Sequence, residues 1–367
     1  MLERKNDLTV FLAMVPVLLA TWVAATLLAG QKKEIPPPAA AAAPAELQKL
    51  GDGVLVHIVN PDSDEVANCG IVVLESGVLL FDTHFTPEAG QALEEWIKSV
   101  TAQPVRYLVN SHFHPDHTHG NQAFATARHI IGSTLTRRDM LQKDMPALNR
   151  MQMIAQGQVE KLGRELGQEK DPRKQEPLRL QLKTHQAFMR RLSSLKILAP
   201  LMTLDDSLSI LDSGREVSLL YLGTGHTEGD IVLYLPEEKV AFLGDLFFND
   251  ALPSVEDASL LEWMKTLREV LKLDARTYVP GHGRVGSRQD VEEFLGFLED
   301  LKALVEPAVK RGDSLEQVVH DLRLPLKYAA FSFQNFFPAN VQKMYAELKA
   351  AQAAAAPESA IKKGARP

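Results

Sequence analysis

Short apolar runs and stretches with helical spacing alternate along the first third of the 367-residue chain. The runs Gly53–Asn60, Cys69–Leu74 and Val78–Asp82 predict β-strands, and a Glu-Ser-Gly turn joins the last two. Apolar residues in Pro87–Val100 recur every three or four positions, which predicts a helix. Val105–Val109 predicts a further strand. This order of strands and helices is typical of an α/β domain.

The same kinds of element return after residue 200. Four further strands are predicted, at Leu208–Leu211, Glu216–Leu222, Ile231–Tyr234 and Val240–Leu243. A helix over Ser259–Leu271, a strand over Thr277–Val279 and helices to about Ala355 follow. We therefore expect one α/β domain built from residues 49–134 and 201–350, with a disordered tail at 351–367.

Residues 135–200 interrupt this order with two runs of helical spacing, which predict an inserted helical hairpin. Asp171-Pro172 separates the runs, and Pro177 suits the first turn of the second helix. Arg137–Lys196 contains 14 Lys or Arg against 7 Asp or Glu, a local net charge of +7 in a chain whose total is -7. A solvated helical arm, a lid and a surface for anionic groups all fit this charge.

The N-terminal pattern differs from the rest of the chain. Leu8–Gly30 contains 23 residues without a charge, enough for a helix to cross the ~30 Å hydrocarbon core of a membrane. Residues 1–30 therefore predict a transmembrane anchor or signal helix, and the Pro- and Ala-rich residues 31–48 predict a linker. A buried helix is the alternative. We expect the remainder to be exported, in a periplasmic or other extracytoplasmic location.

Composition narrows the possible functions. The net charge of -7 and the pI near 5.9 argue against a nucleic-acid binder, which needs a basic field. The single cysteine, Cys69, excludes an internal disulfide framework and a Cys-rich zinc module. Its apolar neighbours predict a buried thiol.

The sequence Ser-His-Phe-His-Pro-Asp-His at 111–117 concentrates four potential metal ligands. His112 and His114 are two residues apart in an extended loop, so both can face one metal ion. Pro115 suits a helix start and would place Asp116 and His117 in the first turn, facing a second ion. Three Gly-containing loops follow predicted strands and carry His226, Asp245 and His282. Imidazole and carboxylate ligands suit zinc, with iron or manganese as alternatives.

The combination of HxHxDH, a GHT loop, a GD after a strand and a PGHG loop resembles the metallo-β-lactamase-fold hydrolases, over residues 53–286. The resemblance implies a four-layer αβ/βα sandwich of two sheets with helices outside. It also implies two divalent metal ions. His112, His114 and His226 would bind the first, Asp116, His117 and His282 the second, and Asp245 would bridge them.

The family mechanism implied by this resemblance uses two metal ions ~3.5–4 Å apart, which share a hydroxide that attacks a carbonyl. Asp116 would accept a hydrogen bond from the attacking water. Asp82 matches a carboxylate that orients a ligand histidine, with a strand-end capping role as the alternative. His119 replaces a glycine of the family pattern; we interpret it as a helix-surface residue, with a proton relay or a pocket residue as alternatives. The histidines without ligand spacing are interpreted as structural, namely His57, His84, His129, His185 and His320.

Asp245 stands where the β-lactamases with a cysteine ligand have that cysteine, so the chain is more similar to glyoxalase II and to exported hydrolases. The leading hypothesis is hydrolysis of a carbonyl ester, thioester or lactam. A β-lactamase and a membrane-tethered interaction protein with a structural metal site remain alternatives. Expected partners are a small-molecule acyl substrate and, through the N-terminal helix, a membrane. No nucleic acid is expected, and the oligomeric state is not predicted.

Overall fold

The computed structural model describes residues 46–59, 66–124, 127 and 129–355. The predicted anchor or signal segment at 1–30 lies outside this part of the chain, as does the predicted linker up to residue 45. Among the described residues, no helix is both long and apolar enough to cross a membrane.

Two β-sheets form the centre of the fold. The strands of the first, seven-stranded sheet lie side by side in chain order: β1 (Glu46–Gly51), β2 (Val54–Ile58), β3 (Cys69–Leu74), β4 (Gly77–Phe81), β5 (Val105–Val109), β6 (His129–Ser133) and β7 (Met202–Leu204). Strands β1 to β4 pair antiparallel, and β4 to β7 pair parallel.

The second sheet has five strands: β8 (Ser207–Asp212), β9 (Arg215–Leu220), β10 (Val232–Leu235), β11 (Val240–Phe248) and β12 (Thr277–His282). Their spatial order is β12-β11-β10-β9-β8, and only β11 and β12 run parallel. Consequently, the C-terminal ends of β11 and β12 lie side by side at one edge of the sandwich.

The described helices are α1 (Pro87–Val100), α2 (Pro115–Thr118), α3 (Thr134–Asp139), α4 (Met145–Gln168), α5 (Pro172–Ser194), α6 (Leu260–Val270), α7 (Arg288–Arg311), α8 (Leu315–Asp321) and α9 (Phe337–Ala355). A wide π-helical turn, Met140–Asp144, joins α3 to α4. A short 3-10 turn, His119–Ala123, follows α2.

Alternation of side chains along each strand builds the layers. In β4, Leu79 and Phe81 pack between the sheets, where Phe81 meets Phe242 of β11 at 6.1 Å between ring centroids. The alternate residue Leu80 faces outward and packs with Leu93 of α1. Helices α6, α7 and α9 cover the outer face of the second sheet. The chain therefore forms an α/β sandwich of two sheets with helices on both outer faces, as the sequence predicted.

The insertion is a helical hairpin made of α4 and α5. Asp171 begins α5, where its Oδ1 accepts a hydrogen bond of 2.9 Å from Arg173 N. The second helix therefore starts at Pro172, and the prediction that Pro177 lies in its first turn is wrong: Pro177 lies inside the helix. Leu148, Ala155 and Leu192 form a small core at the base of the hairpin.

Several boundaries differ from the predicted ones. Strand β1 begins at Glu46, inside the predicted 31–48 linker, and α9 extends to Ala355, inside the predicted 351–367 tail. Strands β6 and β7 were not predicted, because the first is half polar and the second has three residues. Strand β11 continues past Leu243 to Phe248, since its last two residues pack in the helical layer. Asp245 therefore lies within a strand and not in a loop.

Candidate metal centre

The sequence-predicted ligands converge at one edge of the sandwich. Four of them form a first cluster: His112, His114, His226 and Asp245. His112 Nε2 and His226 Nε2 lie 3.0 and 2.9 Å from the same atom, His114 Nδ1. Asp245 Oδ2 lies 3.2 Å from His226 Nε2. The two histidines of the HxH sequence therefore do face one point.

The remaining three form a second cluster: Asp116, His117 and His282. Asp116 Oδ2 lies 3.3 Å from His282 Nε2 and 3.6 Å from His117 Nε2. The other oxygen of Asp245, Oδ1, lies 3.1 Å from His117 Nε2 and 3.4 Å from His282 Nε2. Asp245 thus directs one carboxylate oxygen to each cluster.

Two glycines make room for Asp245. A Cβ built on Gly281 would overlap the Oδ1 atom of Asp245, because β12 passes directly beside the carboxylate. Gly244 has φ +52, a left-handed conformation that glycine adopts without a steric penalty, and a Cβ there would meet Ser111 at 2.6 Å. The close approach of β12 to β11 therefore requires a glycine at 281, and the close approach of Ser111 to β11 requires one at 244.

The donor set suits a divalent cation. Three imidazole nitrogens within hydrogen-bond distance of one another cannot all carry protons, but their lone pairs can share an ion. In addition, the buried atoms His117 Nε2 and Asp245 Oδ1 lie 3.1 Å apart but make no hydrogen bond of suitable geometry, either with each other or with another group in the described part of the chain. Buried polar atoms normally have one, so both atoms are free to act as ligands. The two clusters could therefore hold metal.

Asp82 anchors the second cluster from behind. Its Oδ2 accepts from His117 Nδ1 at 2.8 Å, and its carboxylate accepts from the backbone N and the Oγ of Ser111 at 2.8 and 2.7 Å. The bond to Nδ1 leaves His117 Nε2 directed at Asp245. Asp82 has a positive φ of 65°, a conformation that costs about 1 kcal/mol or more and recurs at functional sites. The structure therefore places Asp82 where the sequence resemblance put it.

Asp257 does the same for the first cluster, and sequence reasoning missed it. It lies between β11 and α6, and its Oδ2 is 3.1 Å from His114 Nε2. Because Nε2 donates to Asp257, His114 Nδ1 is left to face His112 and His226. A single aspartate in a loop carries no spacing signal, so only the fold reveals this contact.

His119 is also placed differently from its prediction. It is 3% exposed, so the helix-surface interpretation is wrong. Its Nε2 lies 3.1 Å from Asp144 Oδ2, in the turn that leads into the hairpin. The one sequence feature that distinguished His119 was that it replaces a glycine of the family pattern. Asp144, 25 residues later, has no motif or spacing that would predict its contact with His119.

Charge is distributed unequally over the two clusters in the metal-free chain. Burial lowers the pKa of His226 to about 3, and that of His112 falls well below its usual value for the same reason. Burial also opposes protonation of His282, but the carboxylates of Asp245 and Asp116 raise its pKa to about 10. The same carboxylates raise the pKa of His117. At neutral pH, the first cluster therefore presents more neutral imidazoles than the second.

Aromatic rings surround the clusters. Phe248 stacks on His282 at 5.2 Å between centroids, and Trp263 meets His226 edge-on at 5.5 Å. Phe333, which has a positive φ of 58°, lies edge-on to His282 at 6.3 Å between centroids. Apolar rings therefore pack directly against two of the ligand histidines, His226 and His282.

Comparison with known proteins agrees with this geometry. A family model described as the metallo-beta-lactamase superfamily matches residues 63–134 and 168–282, about half of the chain. The gap between the two matched segments includes the π-helical turn and most of α4.

Individual relatives are distant. The linear primary-alkylsulfatase of Pseudomonas sp. (strain ATCC 19151) is 22% identical over 269 residues, which are 70% of this chain and 50% of that protein. A type 2 metallo-beta-lactamase of Bacteroides fragilis is 35% identical over 92 residues, 24% of this chain and 37% of the relative. The matches thus span half or less of these two curated relatives.

Solved structures share the fold. A metallo-beta-lactamase from Pontibacter korlensis superposes with a TM-score of 0.52 at 21% identity, covering 70% of this chain and 99% of that one. A Pseudomonas aeruginosa metallo-beta-lactamase, solved in a mono-zinc form, gives 0.51 at 19% identity, with 70% and 96% coverage.

Proposed function

Because the chain belongs to the metallo-beta-lactamase superfamily, we propose that it is a dinuclear metal-dependent hydrolase of carbonyl esters, thioesters or lactams. One observation carries the proposal: Asp245 is shared between two complete clusters, with one oxygen near the histidines of each. A purely structural metal site needs one closed cluster and has no use for a shared carboxylate.

Zinc is the metal that these nitrogen and oxygen ligands favour, with iron or manganese as alternatives. His112, His114 and His226 would bind one ion, Asp116, His117 and His282 the other, and Asp245 both. Bound metal ions would supply Lewis-acid activation of water at neutral pH.

Asp116 is the residue we assign to proton handling. Its side chain is 23% exposed, more than that of any other predicted ligand. Burial opposes its ionisation, but the neighbouring His117 and His282 hold its pKa well below the usual range. Asp116 is therefore a carboxylate at neutral pH. From the open side of the second cluster, it can accept a hydrogen bond from the attacking water and aim that water at the substrate.

Two more specific substrates have support, one outside the acyl compounds and one among the lactams. The match to the alkylsulfatase covers 70% of this chain, which favours a sulfate ester as a second candidate substrate. The shorter, more identical match to a metallo-beta-lactamase favours a β-lactam. An interaction protein with a structural metal would leave the shared carboxylate without a role.

We also propose that residues 1–30 anchor or export the chain, on the basis of their uncharged apolar run. Fusing residues 1–48 to a reporter that is active only outside the cytoplasm tests this. An active reporter in the membrane fraction would support an anchor, and an active reporter in the soluble fraction would support a cleaved signal. An inactive reporter would refute export.

The proposed function is tested by metal analysis of the purified chain and a substrate panel. The panel contains an aryl ester, a thioester, a lactone, a chromogenic cephalosporin, an alkyl sulfate and a phosphodiester. We expect two metal ions per chain and turnover of at least one acyl compound. His114→Ala should abolish that turnover. His320→Ala, whose side chain is 81% exposed on α8, is the matched control and should not.

Two metal ions without turnover of any acyl compound would contradict the assignment. In that case, turnover of the alkyl sulfate would support the second candidate. If the alkyl sulfate is not hydrolysed either, the result would favour the interaction protein.

A further inference from the structure

The π-helical turn Met140–Asp144, at the base of the inserted hairpin, contacts the metal centre at two points. Lys143 Nζ lies 2.8 Å from Asp257 Oδ1, while Asp257 Oδ2 lies 3.1 Å from His114 Nε2. The carboxylate of Asp257 therefore joins the lysine of the insertion to a predicted metal ligand, one oxygen to each.

Lys143 is itself held in place. Its ammonium lies 3.0 Å from Asp139 Oδ2, and the Asp139 side chain is only 3% exposed. Asp139 also binds the guanidinium of Arg138 at 2.7 Å. The ammonium lies 4.8 Å from the ring centre of Phe113, the residue between His112 and His114. These contacts leave Lys143 little freedom to leave Asp257.

The next residue of the turn makes the second contact. Asp144 directs both carboxylate oxygens to His119 Nε2, at 3.1 and 3.2 Å, and both side chains are almost fully buried. His119 follows directly after α2, which carries Asp116 and His117. Successive residues of a helical turn point in different directions. Lys143 and Asp144 can therefore reach opposite ends of the ligand-bearing loop.

The geometry points to a positioning role for this turn: Lys143 fixes Asp257 and thereby aims His114 Nδ1 at the first cluster, while Asp144 fixes the loop through His119. The inference deepens the proposed function, since it rests on His114 being a metal ligand. The base of the hairpin is then part of the metal centre, and the hairpin is not a structurally independent arm.

The physical reason lies in the exposure of Asp257. Its side chain is 22% exposed and sits on a connecting loop. Without the ammonium, one of its oxygens would lose its partner and the carboxylate could rotate toward solvent. His114 would then lose the hydrogen bond that sets which ring nitrogen faces the cluster. Loss of a carboxylate behind a ligand histidine typically costs about 10–100-fold in metal affinity.

Cobalt(II) titration of the metal-free full chain tests the role of Lys143. The variants are Lys143→Met, Lys143→Arg and Asp257→Asn. The matched control is Lys161→Met, an exposed hairpin lysine whose one described ion pair is a 3.9 Å contact with Glu165. Two quantities are followed: the affinity of each binding phase, and the visible spectrum of the bound ion, which reports its ligand geometry.

We expect Asp257→Asn and Lys143→Met each to weaken the same phase about 10-fold, and Lys143→Met to alter the spectrum of the bound ion. Lys143→Arg should restore most of the affinity, because a cation returns to Asp257. Lys161→Met should match the wild-type chain. Thermal unfolding of each variant shows whether the fold is intact, and only folded variants are compared.

Wild-type affinity and spectrum in folded Lys143→Met would overturn the inference. So would equal losses in the Lys143→Met and Lys161→Met variants, which would indicate a general charge effect. Neither outcome bears on the proposed function, which fails separately if the metal-loaded wild-type chain hydrolyses nothing.

A second variant, His119→Gly, restores the residue of the family pattern. We expect His119→Gly to weaken cobalt binding in both phases. Each of these losses should be smaller than the loss of first-phase affinity in Lys143→Met.

Discussion

The two clusters of the metal centre are anchored in different ways. His117 of the second cluster is held by Asp82, whose side chain is 1% exposed at the end of a central strand. His114 of the first is held by Asp257, which is 22% exposed and depends on a lysine of the insertion. One cluster is therefore anchored by a buried carboxylate at a strand end, and the other by a partly exposed carboxylate that contacts the insertion.

The clusters also differ in charge. Carboxylates around the second cluster raise the pKa of its histidines, whereas burial lowers that of His112 and His226 in the first. The first cluster therefore has more neutral imidazole available for a metal ion at neutral pH, and the second must release protons first.

Asp245→Asn should affect both clusters, because each uses one oxygen of this carboxylate. We expect zinc affinity to fall more than about 100-fold, beyond the usual cost of losing an outer partner, with loss of hydrolysis. Equilibrium dialysis and the substrate panel measure both. Asp205→Asn, at an exposed position, is the control. Retention of two tightly bound ions by Asp245→Asn would contradict the shared role.

Metal affinity should depend on pH more steeply at the second cluster. The pKa of His282 is raised to about 10, so protons compete with metal at every pH below that value. As pH rises from 6 to 8, each displaced proton strengthens binding about tenfold per pH unit. In the first cluster, burial lowers the pKa of His112 and His226, so only His114, whose pKa Asp257 raises against the effect of burial, adds such a dependence. Chelator competition measures both phases, and equal slopes would show that the clusters do not differ in charge.

Asp82→Asn should weaken the second phase about 10–100-fold and leave the first within about threefold. Asparagine tolerates the positive φ at this position, so the backbone should keep its conformation. Stability should fall by about 1–3 kcal/mol, because a buried charge-assisted hydrogen bond to His117 is lost. Metal titration and urea unfolding measure these effects. Loss confined to the first phase would reverse the assignment of the two anchors.

Asp257→Asn should weaken the first phase about tenfold, at the lower end of the usual range, with less than about 1 kcal/mol lost in stability. The reason is that Asp257 is partly exposed and anchors no core element. The same titration and urea unfolding apply. A loss of stability as large as that of Asp82→Asn would mean that both anchors belong to the core.

Much of the fold could be predicted from the sequence because several strands are short, continuous apolar runs that are buried in the structure. Val105–Val109 and Cys69–Leu74 have the bounds that their apolar runs predict. The convergence of the seven predicted ligands follows from motifs that come after predicted strands, although β11 continues past Asp245 in the structure. By contrast, β1 carries polar residues at its edge and β7 has three residues, so neither produces a clear pattern.

The residues that contact and orient the ligands could be predicted only in part from the sequence. Asp82 follows a predicted strand and has a counterpart in the family pattern. Asp257 and Lys143 have neither, since their contact joins residues 114 positions apart through two irregular connections. His119 illustrates the same limit: its departure from glycine was visible, but its burial depends on a turn that periodicity does not define.

The most direct test of the account is the rate of hydrolysis of the best acyl substrate as zinc is added stepwise to the metal-free chain. We predict no turnover without metal and a rate that reaches its plateau at two equivalents, after both clusters are filled. Full activity in the metal-free chain, or a rate that does not change as zinc is added, would contradict it.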